Sequence, residues 1–334
     1  MNVGIIGAGL IGTRRAQIIQ KTSGTTLRAV ADLDLTKAQA VTNQYGGQAT
    51  TQWEEVARHP DIQIVIVATP NHLLSPIAQA AAAEGKHLLV EKPMGRTPEE
   101  VQAIVEAAQK HGVLVKGGFN HRYHPAIQKA WKLSSEGAIG EILFIRSRYG
   151  HGGRPGYEKE WRCHPETAGG GELLDQGIHL IDLGRWFLGE FEQVTGMTAT
   201  GHWPILPLED NAFALLRTKK GQVFSLHSSW TQWKNLFSFE IYGREGSLTI
   251  EGLGGSYGME RLLWARRRPA GGAPEEQEEK FPGPDLSWQL EWEEFINAIR
   301  TKESFLGTAE DGLAAIRIAH AIYEYNVSTH TKRK

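Results

Sequence analysis

Residues 3–12, VGIIGAGLIG, decide the fold of this chain. A short apolar run of the kind that forms a buried strand leads into Gly-x-Gly-x-x-Gly, and a helical pattern starts directly behind it. In such a unit the first glycine permits a tight turn, the second lets the backbone approach a pyrophosphate, and the third lets the helix pack closely on the strand. The stretch therefore predicts a dinucleotide-binding turn at Gly7, Gly9 and Gly12, with Leu10 and Ile11 at the helix N-terminus that faces the phosphates.

Asp32 lies 20 residues beyond Gly12, where the acidic ligand of the ribose belongs in this motif. A carboxylate accepts the ribose hydroxyls of NAD and repels the additional phosphate of NADP, so we expect NAD as the cofactor. NADP remains the less favoured alternative. Three arginines, Arg14, Arg15 and Arg28, lie nearby in sequence, and an arginine could compensate for the repulsion between Asp32 and the additional phosphate.

The first 120 residues alternate short apolar runs with helical stretches. The apolar runs are 3–6, 27–31, 62–68, 87–90 and 113–119, and the helical stretches are 10–21, 36–44, 75–84 and 97–111. The runs are apolar throughout, as expected of strands that helices cover on both faces. This order predicts an α/β fold with a doubly wound, parallel Rossmann sheet.

The pattern changes after Asn120. Helical stretches at 125–134 and 172–188 surround a strand at 141–148, and strands joined by hairpin signals follow at 211–218, 222–230, 237–242 and 247–251. Two amphipathic helices, at 287–300 and 309–325, close the chain. We therefore predict an NAD-binding domain at 1–120 and, at 121–334, a substrate-binding and oligomerisation domain of α+β type with a large, mostly antiparallel open sheet. We expect residues 266–284 to form a solvated loop-like excursion between secondary-structure elements and not a functional site.

Composition excludes several function classes. Lys and Arg number 36 against 38 Asp and Glu, a net charge of −2, so neither nucleic acid nor a membrane surface is expected as a partner. No stretch approaches the roughly 18 consecutive apolar residues of a membrane span. The apolar start of the chain lacks a basic leader region and contains three glycines, which argues against a signal peptide. A single cysteine, Cys163, fits a reducing compartment, and we expect a soluble, cytoplasmic protein.

Polar residues follow three of the apolar runs, where an open α/β sheet places its ligand crevice. Lys92, followed by a proline, is well placed to donate to an oxygen in that crevice, although the residue type alone fits an ordinary surface lysine equally well. The residues that we expect near the cofactor in these segments are Thr69, Asn71, His72, Glu91, Lys92 and Asn120.

Asp175 and His179 are four residues apart in a predicted helix and would share one face of it. A carboxylate beside an imidazole fixes its orientation and raises its basicity, which produces a general base that works near neutral pH. The alternative is a surface pair without consequence. The apolar residues around the pair favour the functional interpretation, since charged residues in such surroundings need a partner or a role.

With these motifs the chain resembles the glucose–fructose oxidoreductase, inositol dehydrogenase and MocA family (Gfo/Idh/MocA). Glu91-Lys92-Pro93 together with Asp175-x-Gly177-x-His179 is the specific part of the resemblance, and the glycine turn and shorter motifs as far as residues 309–312 support it. The resemblance implies a Rossmann domain and a C-terminal α/β domain, between which nicotinamide and substrate meet. It also implies that the open sheet forms a subunit interface, in a homodimer or homotetramer.

The reaction that the resemblance implies is oxidation of a secondary hydroxyl of a sugar, sugar derivative or inositol, without a metal. His179 acts as the base, Lys92 stabilises the developing alkoxide and Asp175 orients His179. Further candidates for contacts with substrate hydroxyls, by position, are Arg122, Tyr123, Trp161, Arg162 and His164, and Trp230 or Trp233 could stack on a sugar face.

Three other interpretations stay open. Some relatives hydrolyse glycosides with bound NAD that is oxidised and reduced again in each cycle. A sensor that binds a dinucleotide without catalysis would have no use for Lys92, Asp175 and His179 together. A zinc site is the least favoured, because histidines such as His121 and His124 do not reproduce a known ligand spacing.

Overall fold

The structure is a computed structural model that describes the backbone of residues 1–331 and side chains as far as residue 326. The chain divides into two compact units. The first consists of Met1–Phe119, Glu166–Gly169 and Trp288–Ile316, and the second of Asn120–Pro165, Gly170–Ser287 and the chain from Arg317 onward. This division differs from the predicted boundaries of 1–120 and 121–334, because two later segments belong to the first unit.

The first unit is built on a six-stranded parallel sheet with the order β3-β2-β1-β4-β5-β6. The strands are β1 (Asn2–Ile6), β2 (Thr26–Ala31), β3 (Gln48–Thr50), β4 (Ile64–Val67), β5 (His87–Glu91) and β6 (Val115–Gly118). The helices between them are α1 (Leu10–Lys21), α2 (Leu35–Tyr45), α3 (Trp53–Arg58), α4 (Asn71–Ala83) and α5 (Pro98–His111). The strand order reverses between β1 and β4, and an open α/β sheet binds its ligand at the carboxyl ends of the strands beside such a point.

Helix boundaries in this unit follow from local chemistry. Asp34 caps α2, since its side chain accepts a hydrogen bond from the backbone N–H of Thr36. Thr97 caps α5 in the same way through Glu100, and Gly112, in the left-handed conformation, ends that helix. These caps agree with the helix starts that the sequence predicts.

The helix α9 (Ser287–Thr301) explains why a late segment belongs to the first unit. Its apolar side chains Trp292, Phe295 and Ile296 belong to the same core cluster as Val3 and Ile5 of β1. Burying two large aromatic residues in this core stabilises the unit by several kcal/mol, at about 1.5–3 kcal/mol for each large apolar side chain. The last helix, α10, spans Ala309–Thr331.

The second unit contains an eight-stranded sheet with the order β14-β13-β12-β11-β7-β10-β9-β8. Every neighbouring pair is antiparallel except β7 and β10. The strands are β7 (Ile142–Gly150), β8 (Phe191–Ala199), β9 (Asn211–Thr218), β10 (Val223–Ser229), β11 (Leu236–Gly243), β12 (Gly246–Glu251), β13 (Glu260–Arg266) and β14 (Glu275–Phe281). The helices of this unit are α6 (Pro125–Ser135) and α8 (Ile178–Leu188). The short α7 (Pro165–Ala168) lies between them in sequence, but all of it after Pro165 belongs to the first unit. A parallel Rossmann sheet and a large, mostly antiparallel sheet confirm the predicted fold class.

The segment 266–284 corrects one expectation. It contains a regular strand, β14, which pairs with β13 along the edge of the sheet. The strand is exposed and charged, and such side chains protect an edge strand from pairing with another chain. Because its sequence has no alternating apolar residues, no periodic pattern predicts it. In the part of the chain that the structure describes, no helix has the length and apolar character needed to cross a membrane.

Candidate active site

The glycine turn has the geometry that a bound pyrophosphate requires. Gly7 has φ +102°, and a Cβ on it would lie 2.4 Å from the carbonyl oxygen of Ala68. A Cβ on Gly12 would lie 1.8 Å from the carbonyl oxygen of Gly7. A Cβ on Gly9 would meet nothing within 4 Å. Two of the glycines are thus required by the fold itself, whereas Gly9 faces open space that a phosphate can occupy.

The N-terminus of α1 faces the same space. Gly9 is the N-cap and supplies no side-chain acceptor, and the first turn of α1 contains no acidic residue. No acidic side chain within the first turn therefore offsets the N–H groups and the positive end of the helix dipole. Leu10, in the first turn, is 80% exposed. These features fit the binding of an anion.

Asp32 follows β2 and lies against the glycine turn. Its Oδ2 accepts a hydrogen bond of 2.7 Å from the backbone N–H of Ala8, and its Oδ1 accepts one of 3.0 Å from that of Asp34. The carboxylate is therefore held in place and, with its half-exposed position, keeps lone pairs for two hydroxyl groups.

The three arginines near the turn in sequence all have structural partners. The guanidinium of Arg14 lies 5.1 Å from the ring centre of Trp288. Arg15 is buried, with its guanidinium on Glu91 and Glu291. Arg28 forms an exposed ion pair with Asp61 at 3.3 Å. Arg15 in particular cannot compensate for a phosphate beside Asp32.

Two of the predicted cofactor residues after β4 have buried polar atoms that no group of the described chain satisfies. These atoms are Oγ1 of Thr69 and Nδ1 of His72. Buried polar atoms normally have hydrogen-bond partners, so a bound ligand is a plain explanation for both. Asn71, in contrast, is used internally, since its side chain donates to the carbonyl oxygen of Ala168 at 2.9 Å. The glycine turn, Asp32 and these two atoms together fit a dinucleotide.

Glu91 and Lys92 have different environments although they are adjacent. Glu91 is buried and bound by Arg15, which gives it a structural role beside its predicted place near the cofactor. Lys92 is half-buried. The turn that follows is fixed by Met94, which is fully buried with φ +72°. Its Sδ lies 2.3 Å from where a Cβ on Gly312 would be, so that glycine makes room for it.

Asp175 and His179 lie on either side of a change in helix type. The predicted helix from Glu172 begins instead as a π-helical turn, Leu173–Gly177, and becomes the α-helix α8 at Ile178. Asp175 is in the π-helical turn and His179 in the first turn of α8. Such turns are rare and are found frequently at functional sites.

A buried carboxylate holds this turn. Glu209 accepts hydrogen bonds from the backbone N–H groups of Gly171 and Leu173, at 3.1 and 3.0 Å, and from the hydroxyl of Tyr323 at 2.7 Å. Burial raises the pKa of Glu209. The carboxylate thus occupies N–H groups that the irregular turn leaves without intrahelical partners.

His179 lies in a cluster of aromatic rings. Its imidazole is buried and stacks on that of His121, with centroids 3.8 Å apart. The ring centroid of Tyr149 lies 6.4 Å from that of His179, with an angle of 68° between the two ring planes. Asn120, a predicted cofactor residue, is buried in this unit and binds Ser287 at 2.8 Å. His121 was not among the predicted catalytic, cofactor or substrate residues.

Three further polar residues near Asp175 were missed. Tyr257 accepts a hydrogen bond of 2.9 Å from Gln176 and is hydrogen-bonded to Tyr149. Burial raises the pKa of Tyr257 to about 12 and that of Tyr149 well above its usual value, with nearby Asp175 adding to both shifts. The hydroxyls therefore stay protonated as donors at neutral pH. Gln176 adjoins Asp175 in the sequence, which is a signal for it, whereas no sequence pattern indicates a role for the two tyrosines.

Two of the predicted substrate residues, Arg162 and Arg122, differ in the role that their contacts indicate. Arg162 lies beside Asp175, with Nε 3.6 Å from Oδ2, and its guanidinium is 5.1 Å from the ring centre of Trp161. Arg122 is 2% exposed and pairs with Asp182 through bonds of 2.8 and 2.6 Å, which is a structural arrangement.

The remaining candidates differ in exposure. Tyr123 and Trp230 are buried, and Trp230 is fully covered, so it presents no face to a sugar. Trp233 is 67% exposed and His164 is exposed. Among the side chains that the structure describes, those of residues 1–326, no group of three or more His, Cys, Asp or Glu is arranged to hold a metal ion.

Comparison with known proteins identifies relatives of both units. The family described as "Oxidoreductase family, NAD-binding Rossmann fold" matches residues 1–119, and the "GFO/IDH/MocA C-terminal domain" matches residues 127–249. A levoglucosan dehydrogenase from Pseudarthrobacter phenanthrenivorans is 32% identical over 285 residues, 75% of this chain and 73% of the relative. Inositol 2-dehydrogenase 2 from Saccharopolyspora erythraea is 26% identical over 332 residues, 96% of this chain and 91% of the relative. A solved structure of levoglucosan dehydrogenase with NADH and levoglucosan has a TM-score of 0.88 at 28% identity, covering 98% of this chain and 97% of that chain.

Proposed function

Since the chain belongs to the Gfo/Idh/MocA family of NAD-dependent oxidoreductases, we propose that it is a dehydrogenase that oxidises a secondary hydroxyl of a sugar, sugar derivative or inositol. The substrate class comes from the relatives, which include enzymes named for levoglucosan and for inositol. Both compounds are rings that carry several secondary hydroxyl groups.

The observation that carries the proposal is the glycine turn with Asp32 beside it. Gly9 leaves open space at the N-terminus of α1, and Asp32 is held by Ala8 where a ribose hydroxyl is expected. This arrangement has a clear use in an enzyme that transfers hydrogen to or from a nicotinamide. When bound, NAD supplies the acceptor for the hydrogen that leaves the alcohol carbon.

The chain's own residues handle the proton. We assign His179 as the base that takes the proton of the substrate hydroxyl, because an imidazole exchanges protons near neutral pH. Lys92 donates to the oxygen as negative charge develops on it. Asp175 supplies negative charge near His179, and Arg162 balances part of that charge.

Hydroxyl groups elsewhere on the substrate need donors and acceptors. We propose Arg162 and Trp161 for this role, together with Tyr257, whose raised pKa keeps it a donor. Arg122 does not take this role, because Asp182 occupies its guanidinium.

We propose NAD rather than NADP as the physiological cofactor. Asp32 would repel a phosphate on the adenosine ribose, and the nearby Arg15 is buried away from it. Arg28, which is part of β2, is paired with Asp61.

The test is a screen for NADH formation with levoglucosan, inositols, free hexoses, sugar phosphates and nucleotide-linked sugars. We expect NADH to accumulate with one of these classes, and a lower kcat by about 10² or more in His179→Ala with NAD binding retained. Consumption of a glycoside without net NADH would show the redox-neutral hydrolase instead. Near-normal turnover in His179→Ala would remove His179 from the mechanism.

We also propose that the protein is a homodimer or homotetramer through the outer face of the eight-stranded sheet. That face exposes large apolar side chains on neighbouring strands, among them Met197, Phe213 and Leu215 at 62%, 44% and 56% exposure. Exposed apolar residues grouped in this way mark an interaction surface. Leu215→Arg should shift the mass measured by light scattering to that of a single chain, and an unchanged mass would exclude this face.

A further inference from the structure

We propose that His121 is a positioning residue for His179, holding its imidazole ring in the orientation in which it takes the substrate proton. The inference rests on the proposed role of His179. The two rings stack with centroids 3.8 Å apart and an angle of 22° between their planes. Both residues are buried, with 5% of His121 and 4% of His179 exposed. One face of the His179 ring is therefore covered by a flat surface that restricts rotation about its side-chain bonds.

The His121 ring is itself held by three other rings. Tyr149 and His124 contact it edge-on, with centroids at 5.1 and 5.5 Å, and Phe237 lies at 5.9 Å. Packing of this density leaves a buried ring few alternative rotamers. His121 is thus a fixed surface rather than one of two rings that move together.

A chain of hydrogen bonds also fixes His121, through its ring nitrogen Nδ1. The hydroxyl of Ser287 donates to Asp285 at 2.6 Å, so its oxygen accepts from the side-chain amide of Asn120 at 2.8 Å. The amide oxygen of Asn120 then faces Nδ1 of His121 at 3.3 Å.

The direction of this chain determines where His121 holds its hydrogen. An amide oxygen only accepts, so Nδ1 of His121 is the donor. The hydrogen bond anchors the ring through Asn120, and the contact with His179 is made by ring faces. Asn120 thereby supports the candidate base, in addition to its predicted place near the cofactor.

Orientation of the base has a large effect on rate. A general base must lie within hydrogen-bond reach of the proton it removes, and a displacement of about 1 Å can lower the rate by about 10²-fold. Loss of a positioning residue lowers kcat and leaves the affinity for substrate nearly unchanged, whereas loss of a substrate contact raises KM.

The test compares His121→Ala with His121→Phe in the full-length protein. His121→Ala removes the stacked ring, and we expect kcat to fall by about 10-fold to 100-fold with KM within about twofold. His121→Phe keeps a flat ring among the same neighbouring rings, and we expect kcat within about threefold of the wild type. Trp131→Ala is the matched control, because Trp131 stacks on Trp186 of α8 at 5.3 Å, on the helix that carries His179 but at another position. A rise in KM at unchanged kcat in His121→Ala, or equal losses in the Ala and Phe variants, would overturn the proposal.

A second measurement does not depend on activity. The ring protons of His179, assigned by their loss in His179→Ala, should shift in the NMR spectrum of His121→Ala because the ring current of the stacked imidazole is gone. They should shift much less in Trp131→Ala. If His179 proves dispensable for turnover, the proposed function fails, but the NMR comparison still decides whether His121 holds the ring. Unchanged His179 signals in His121→Ala would rule the inference out.

Discussion

The guanidinium of Arg15 binds Glu91 through Nε at 2.8 Å and Glu291 through Nη1 at 2.6 Å. Arg15 lies on α1, directly behind the glycine turn, and Glu91 ends β5 immediately before Lys92. The two carboxylates and the guanidinium are buried, with 10% of the Glu91 side chain exposed and 1% or less of the others. This network joins the helix that faces the cofactor to the strand that carries Lys92.

Removing Arg15 should be strongly destabilising. Arg15→Met would leave two buried carboxylates without their cation, which costs about 3–5 kcal/mol of the free energy of unfolding. Urea denaturation measures this loss. Arg28→Met is the control, because Arg28 and Asp61 form an exposed pair whose removal costs at most about 1 kcal/mol. Equal losses in both variants would show that the buried network adds no stability beyond that of a surface pair.

The loss in Arg15→Met should also depend on pH. Burial raises the pKa of Glu291, and Arg15 opposes that shift, so the pKa rises further in the variant. A carboxyl with a higher pKa in the folded than in the unfolded state binds more protons when folded, and its contribution to stability falls as pH rises. The free energy of unfolding of Arg15→Met should therefore increase relative to the wild type as pH is lowered from neutral toward the pKa of glutamate. Adding Glu291→Gln should reduce this pH dependence, and a difference that grows toward low pH would contradict the assignment.

Gly9 and Gly12 should respond differently to the same substitution. Gly9→Ala places a methyl group in open space, so we expect unchanged stability and NAD binding weakened by about tenfold or more, since the methyl group occupies the approach of the pyrophosphate. Gly12→Ala places it 1.8 Å from the carbonyl oxygen of Gly7, and we expect loss of several degrees or more in Tm, or failure to fold. Calorimetry of NAD binding and thermal melts separate the two effects. Normal NAD affinity in Gly9→Ala would show that no phosphate lies there.

Asp32 should determine the choice between the two dinucleotides. Asp32→Ala removes the acceptor for the ribose hydroxyls and the charge that repels a phosphate, so NAD should bind about tenfold more weakly and its advantage over NADP should narrow. Asp34→Ala is the control, because it removes the cap of α2 and lowers stability without removing an acceptor for the ribose hydroxyls. Affinities for both dinucleotides, measured by fluorescence titration, test this. A wild-type preference for NADP would overturn the argument.

The fold could be predicted where the signal is local. The glycine turn marks β1 and α1, and the predicted bounds of that helix and of β9 coincide with those observed. The strand β3 has three residues, which is too few to show an alternation of apolar and polar residues. In β14 nearly all side chains are charged or polar, so no such alternation exists. The placement of Trp288–Ile316 in the first unit depends on which core accepts the apolar face of α9, and no local pattern contains that information.

The candidate site also has features with a local sequence signal and features that depend on long-range contacts. Asp175 and His179 are close in sequence, and their spacing could be recognised, but the π-helical turn between them depends on Glu209, more than 30 residues away. The pairing of Arg122 with Asp182 spans 60 residues, so the sequence around Arg122 does not show that its guanidinium has a structural partner. Long-range partners of this kind decide whether a charged residue is available, and only the folded chain shows them.

Cys163 should be an unreactive thiol in the native protein. It is the single cysteine of the chain and is 5% exposed, and burial raises its pKa to about 11. Because the thiolate is the reacting species, the rate of labelling by a disulfide reagent at pH 8 should be far below that of the urea-unfolded chain, by about 10²-fold. The native rate should keep increasing past the ordinary thiol pKa of about 8.5, as long as circular dichroism shows a folded protein. Cys163→Ser sets the background, and a native rate that reaches its plateau near pH 9 would show that the thiol lies in a polar environment and not in the buried one described above.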